Sequence, residues 1–225
     1  MKPIIAIRPE PGASATLAAG RALGLEIAAM PTWEVIPRPW SPPDLAGIDG
    51  LLIGSANALR HSGSAHARIA HLPVHAVGQT TAALAREMGH NLTSIGEGGL
   101  QALLDALPQR PVHLLRLAGA VHLPLDLPPH VTITTRITYE TISLPFSNEL
   151  TRALRRGTLV LLHSAEAALH FAQECSRLEL DRSKIELAAL GPRIAAAAST
   201  GWADCRSAAV PNDTALLALA EEMCH

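Results

Sequence analysis

The hydrophobic pattern is clearest between Val74 and Gly89. Val74-His75-Ala76-Val77 is a short, nearly continuous apolar run, the mark of a buried strand. Gly78 breaks it, and Gln79-Thr80-Thr81 lead into an alanine- and leucine-rich stretch that predicts a helix ending at Gly89. A strand, a glycine turn and a helix start together present unpaired backbone N–H groups, which suit a bound anion. The same construction returns from Leu187 to Gly201.

The remaining pattern is of the same kind. Pro3 to Arg8 predicts a strand with Arg8 at its C-terminal end, and Ala13 to Leu23 a helix closed by Gly24. Extended material at Leu25–Met30 and Thr32–Ile36 is interrupted by Pro31, and Pro37, Pro39, Pro42 and Pro43 then forbid regular pairing. Asp49–Ile53 predicts a strand and Gly54–Asn57 a turn into a helix. Leu92–Ile95 and Leu100–Leu107 predict one more strand and helix around a Gly96–Gly99 loop.

From Pro111 the pattern starts over. Val112–Leu117 matches the first strand, with Arg116 standing where Arg8 stood, and Thr138-Tyr139-Glu140 matches Thr32-Trp33-Glu34. The pairs Arg8/Arg116, Trp33/Tyr139, Ser55/Ser164 and Gly78/Gly191 lie 108, 106, 109 and 113 residues apart, a drift too small for coincidence. The chain is an internal duplication with a domain-sized period. Strands alternating with helices predict parallel sheets covered on both faces, with ligands at the C-terminal ends of the strands.

Composition narrows the partners. In 225 residues, 48% hydrophobic content supports a core, while 3% aromatics and a net charge of -2 argue against stacking on, or non-specific binding of, nucleic acid. No apolar run is long enough to cross a bilayer, and the start lacks the features of a signal peptide. Cys175, Cys205 and Cys224 form no C-x-x-C pair and fit buried thiols in a reducing cytoplasm.

Candidate chemistry collects at the predicted strand ends and helix starts: Arg8, Ser55, Asn57, Gly78, Gln79, Thr80, Thr81, Gly98, Gly99, Arg116, Ser164, Gly191, Arg193 and Thr214. Each has a plain structural reading beside the binding one, since Ser and Thr cap helices and Gly makes turns. No nucleotide fingerprint, H-E-x-x-H or G-x-S-x-G is present, so nucleotide, zinc-protease and hydrolase readings fall away. Tyr139, the only tyrosine, either packs at a hinge or offers a phenol as proton donor.

Taken together, these segments resemble the uroporphyrinogen-III synthase family. The resemblance rests on Arg8-Pro9, D-G-L-L-I-G-S-A-N-A from Asp49, V-G-Q-T-T-A-A-L from Val77, Tyr139-Glu140-Thr141, L-L-H-S-A-E-A-A from Leu161, A-L-G-P from Ala189 and Pro211-Asn212-Asp213-Thr214. It implies an α/β fold of two similar flavodoxin-like parallel-sheet domains joined by a two-stranded linker, with the ligand cleft between them. One domain would comprise residues 1–36 plus 141–225, the other 37–140. The implied reaction cyclises hydroxymethylbilane to uroporphyrinogen III with loss of water and inversion of the last ring. It needs no metal or organic cofactor. Tyr139 matches the family's linker tyrosine and is the candidate for assisting hydroxide departure, while the loops would hold a substrate with eight carboxylates. A cytoplasmic monomer is expected, with no nucleic-acid or membrane partner. Two departures stand out: Gly191-Pro192-Arg193-Ile194 lacks the small hydroxyl residues usual after that glycine, and Gly54 stands where a threonine is common. The rival reading is a non-catalytic two-domain binder of a small polyanion.

Overall fold

A computed structural model describes residues 2–224. In chain order the elements begin with β1 (Ile4–Ala6), α1 (Gly12–Ala22), β2 (Ile27–Ala29), β3 (Trp33–Pro37), β4 (Gly50–Ile53), α2 (Ala56–Arg60) and α3 (His66–Ile69). Next come β5 (Val74–Val77), α4 (Gln79–Glu87), β6 (Leu92–Gly96), α5 (Gly99–Asp105), β7 (Val112–Gly119) and β8 (Val131–Ser143). The chain closes with α6 (Asn148–Arg156), β9 (Thr158–Leu162), α7 (Ala165–Arg177), β10 (Ile185–Ala189), α8 (Pro192–Ala197), β11 (Asp204–Ser207) and α9 (Asp213–Cys224).

The chain forms two compact units: Met1–Glu34 with Ile142–His225, and Val35–Thr141. In the first, the sheet order is β11-β10-β9-β1-β2, with every described pairing parallel. In the second it is β3-β8-β7-β4-β5-β6, with β4 through β8 parallel. Counting β1 and β2 first gives the order 2-1-3-4-5, and β7 and β8 take those two places in the second unit. Each unit is therefore a flavodoxin-like sheet, built from strands that the duplication places in different halves of the chain. The point where strand order reverses, the customary ligand position, lies between β1 and β9 in one unit and between β7 and β4 in the other.

The apolar runs are explained by burial of both sheet faces. Alternation sends Ile5, Val160, Leu162 and Leu187 to one face, where they pack with Phe146 and Phe171. Ile4, Ala6, Leu159 and Leu161 meet Leu216 and Leu217 of α9 on the other. In the second unit Leu51, Ile53, Val74, Ala76, Leu115 and Leu117 form one core, and Leu52, Leu114, Leu103 and Leu104 the other. Strands β3 and β8 run side by side as the chain passes between the units. Arg38 N donates to Thr138 O at 2.8 Å and Leu144 N to Thr32 O at 2.8 Å, so the two strands are antiparallel.

The strand ends differ from expectation in one consequential place. Arg116 does not end its strand; β7 continues through Leu117 and Ala118 to Gly119, because β4 on one side and β8 on the other both supply partners beyond it. The charge in that run sits at a buried position inside the strand and lines a cleft.

Candidate functional site

At the switch point of the second unit lies a cleft of about 380 Å³. Its walls are the β4–α2 turn (Gly54, Ser55), the start of α5 (Gly98 to Gln101), the end of β7 (Arg116 to Gly119), the following loop (Val121 to Leu125) and Tyr139 of β8. The titratable groups lining it, among the described residues, are Arg116, His122 and Tyr139.

Arg116 is the electrostatic centre of the cleft. By strand alternation it shares the face of Leu114, and the loop after β7 covers it, leaving the residue only 6% exposed. Its Nη2 donates to Leu123 O at 3.0 Å, while its Nε is buried without a partner. No carboxylate among the described residues pairs with it. Burial pushes its pKa below the ordinary arginine value, yet a guanidinium stays protonated at neutral pH. A buried cation with one neutral acceptor is an unfavourable arrangement that an incoming carboxylate would relieve.

Tyr139 is fixed by its surroundings. Its ring packs against the Leu115–Leu117 core and lies 6.1 Å, centroid to centroid, from the ring of His61. Gly119 is what leaves room for it: a Cβ there would stand 2.8 Å from Tyr139 Cζ and 3.0 Å from the phenol oxygen. Gly119→Ala should therefore swing the phenol out of position and lower turnover by about tenfold to a hundredfold, the scale on which small misplacements act. The melting curve should stay close to wild type. Full activity in the folded variant would show that the phenol's placement is immaterial.

The other candidate residues are not all gathered here. Ser55 lines the cleft, but its oxygen also caps α2 by accepting from Asn57 N at 3.3 Å. Asn57 is turned to its own helix, accepting from Arg60 at 2.9 Å. Gly98 and Gly99 form the start of α5 in the cleft wall, and Gly99 has φ +90, which a side chain would resist. Gly78, at φ +79, makes the turn before α4; Gln79 and Thr80 are exposed there, whereas Thr81 is buried and faces the core. In the first unit Gly191 precedes α8, and Arg193 and Thr214 are exposed in the first turns of α8 and α9. Ser164 caps α7, accepting from Ala167 N at 3.1 Å.

The Arg8 position contrasts with that of its duplicate. Arg8 Nη1 donates to Asp213 Oδ2 at 3.0 Å and to Thr16 Oγ1 at 3.3 Å, and His163 Nε2 lies 3.6 Å from Asp213 Oδ1. Gly12 leaves the space that the Arg8 guanidinium fills. Burial first, then the Arg8 charge, push the His163 pKa down to about 4, against the opposing pull of Asp213. Among the described residues, a carboxylate thus answers Arg8 and none answers Arg116.

Sequence reasoning missed three groups: the Arg8–Asp213–His163 cluster, His122, and Gln101. Gln101 exchanges hydrogen bonds with the backbone of Asp126, donating to its carbonyl at 2.8 Å and accepting from its N–H at 2.9 Å. This clasps the apolar loop after β7 to α5. The signal available was the loop itself, A-V-H-L-P-L-D-L-P-P, whose Val121 and Leu123 are 90% and 80% exposed.

The fold and the cleft define an α/β protein of two flavodoxin-like units, with a cleft at the strand C-terminal ends of the second. Residues 14–218 match the family described as uroporphyrinogen-III synthase HemD, and the chain belongs to that family. Its activity is accordingly that of a uroporphyrinogen-III synthase in tetrapyrrole biosynthesis. Solved structures agree on the fold. The uroporphyrinogen-III synthetase of Helicobacter pylori superposes with a TM-score of 0.66 at 14% identity, covering 99% of this chain and 100% of that one. A mutant uroporphyrinogen III synthase from the extremely thermophilic bacterium Thermus thermophilus gives 0.58 at 15% identity, covering 100% and 99%. A search of curated protein sequences finds no match.

Proposed function

We propose that the cleft of the second unit is where the linear tetrapyrrole is held for ring closure, with Arg116 receiving a carboxylate and Tyr139 serving the leaving hydroxyl. The observation that carries this reading is the buried Arg116 guanidinium, which has a carbonyl partner but no carboxylate, in a cleft that also holds Tyr139. In this reading the enzyme is a cyclising lyase. Departure of the hydroxyl group as water leaves an electrophilic azafulvene. The terminal ring attacks it through its substituted carbon, and the resulting spiro intermediate fragments and recloses inverted. The protein's main contribution is to hold a flexible chain in one fold, so that the uninverted closure is disfavoured.

Ser55, Gly98 and Gly99 would supply hydrogen bonds around the carboxylate on Arg116. Gln79 and Thr80 in the second unit would meet further carboxylates with backbone N–H groups and a hydroxyl. Within the first unit, Gly191, Arg193 and Thr214 would offer backbone N–H groups, a guanidinium and a hydroxyl to an anion. Arg8 would act through its ion pair with Asp213, holding the rim of its own unit in shape. We place the enzyme in the cytoplasm as a monomer.

Tyr139→Phe is the direct test. It removes one hydroxyl and keeps the ring packing, so turnover should fall by about tenfold or more while KM changes little, because the phenol serves the leaving group rather than ground-state binding. A variant with wild-type turnover would remove the phenol from the reaction.

A further inference from the structure

The geometry points to His122 as a second catalytic residue, a proton carrier that works beside Tyr139 in the same cleft. The inference rests on the cleft being the substrate site. His122 Nδ1 lies 2.8 Å from Gly119 O, and a carbonyl can only accept, so Nδ1 carries the proton. The bond fixes the ring's tautomer: when the imidazole is neutral, Nε2 is the free lone pair. Gly119 is also the residue against which the Tyr139 phenol is packed, and both rings line the cleft. One glycine thus fixes two proton-handling groups, one through its carbonyl and the other through the space left by its missing side chain.

The reaction needs a group of this kind twice. First, protonated Nε2 gives its proton to the hydroxymethyl oxygen as the carbon–oxygen bond breaks, releasing water and leaving the azafulvene with Nε2 bearing a lone pair. Attack through the substituted α-carbon of the terminal pyrrole gives the spiro intermediate, which fragments by breaking that carbon's bond to its original methylene; reclosure at the unsubstituted α-carbon then leaves one extra hydrogen there. Nε2 takes that proton as the carbon–hydrogen electron pair restores the aromatic ring. Substrate loses one water, and the imidazole ends as it began. Histidine suits a proton that must be given and then taken back near neutrality, which a phenol does poorly. The charged and titratable groups facing His122 across the cleft are Arg116 and Tyr139, with His61 behind the Tyr139 ring.

His122→Asn separates anchoring from proton transfer, because the asparagine amide can still donate to Gly119 O but has no counterpart of Nε2. Its kcat should fall by about tenfold to a hundredfold with KM within about twofold. His122→Ala should be slow in the same way and should regain turnover with added imidazole. Wild-type kcat in the Asn variant would overturn the assignment. If Arg116→Gln and Tyr139→Phe are slow while His122→Asn is not, only this inference falls; if all are unaffected, the cleft reading falls with it.

Discussion

Replacing Arg116 with methionine should make the protein more stable and nearly disable it at working substrate concentrations. The guanidinium is 6% exposed, has a single carbonyl partner and packs beside an apolar layer that includes Leu114, Leu100 and Leu125. Burying such a charge is costly, and exchanging buried ionic groups for apolar ones of similar size is often stabilising, here by about 1 to 3 kcal/mol. Binding should move the other way. A charge-assisted hydrogen bond to a carboxylate is worth about 1.5 to 3 kcal/mol, so KM should rise by about tenfold to a hundredfold. Denaturant titration and initial-rate kinetics on the same preparation check both halves. A destabilised variant with unchanged KM would make Arg116 a structural residue and leave the cleft without its anion receptor.

The second large effect is on stability in mild acid. Burial holds the His163 pKa at about 4, below the ordinary value of 6.5, so the native protein keeps this imidazole neutral where the unfolded chain protonates it. The unfolded state then binds more protons, and stability falls as pH drops. The contribution is fully present above about pH 6.5 and is lost between about 6.5 and 4, amounting to on the order of 3 kcal/mol. His61, His75 and His90 are lowered by burial too and act in the same direction. Unfolding free energies at neutral pH and near pH 4.5 should differ less in His163→Gln than in wild type. Equal differences would show that His163 protonates freely in the native state, with the Arg8–Asp213 pair failing to seal it.

Much of the architecture was legible because its causes are local. Gly78 at φ +79 and the apolar Val74–Val77 run announce a turn and a strand without help from the rest of the chain. The paired offsets of Arg8/Arg116 and Ser55/Ser164 announce two similar units. The compact units divide at Glu34/Val35 and Thr141/Ile142. What could not be read depends on long-range placement. Arg8 and Asp213 are 205 positions apart and meet only because β1 sits beside β9 with α9 packed under both. Arg116 looked like a strand end because a charge rarely continues an apolar run; it is tolerated inside β7 because a cleft opens above it. Thr81 looked like a rim hydroxyl, but helix rotation turns it to the core. His122 carried no motif, and its importance comes from one backbone carbonyl three residues earlier.

The most direct test of the account is the isomer composition of the product. Hydroxymethylbilane, generated in situ and given to the purified protein, should yield type III uroporphyrinogen well above the protein-free control, with the type III share falling in Arg116→Met as spontaneous closure overtakes the enzyme. Only type I from a folded wild-type protein would contradict it.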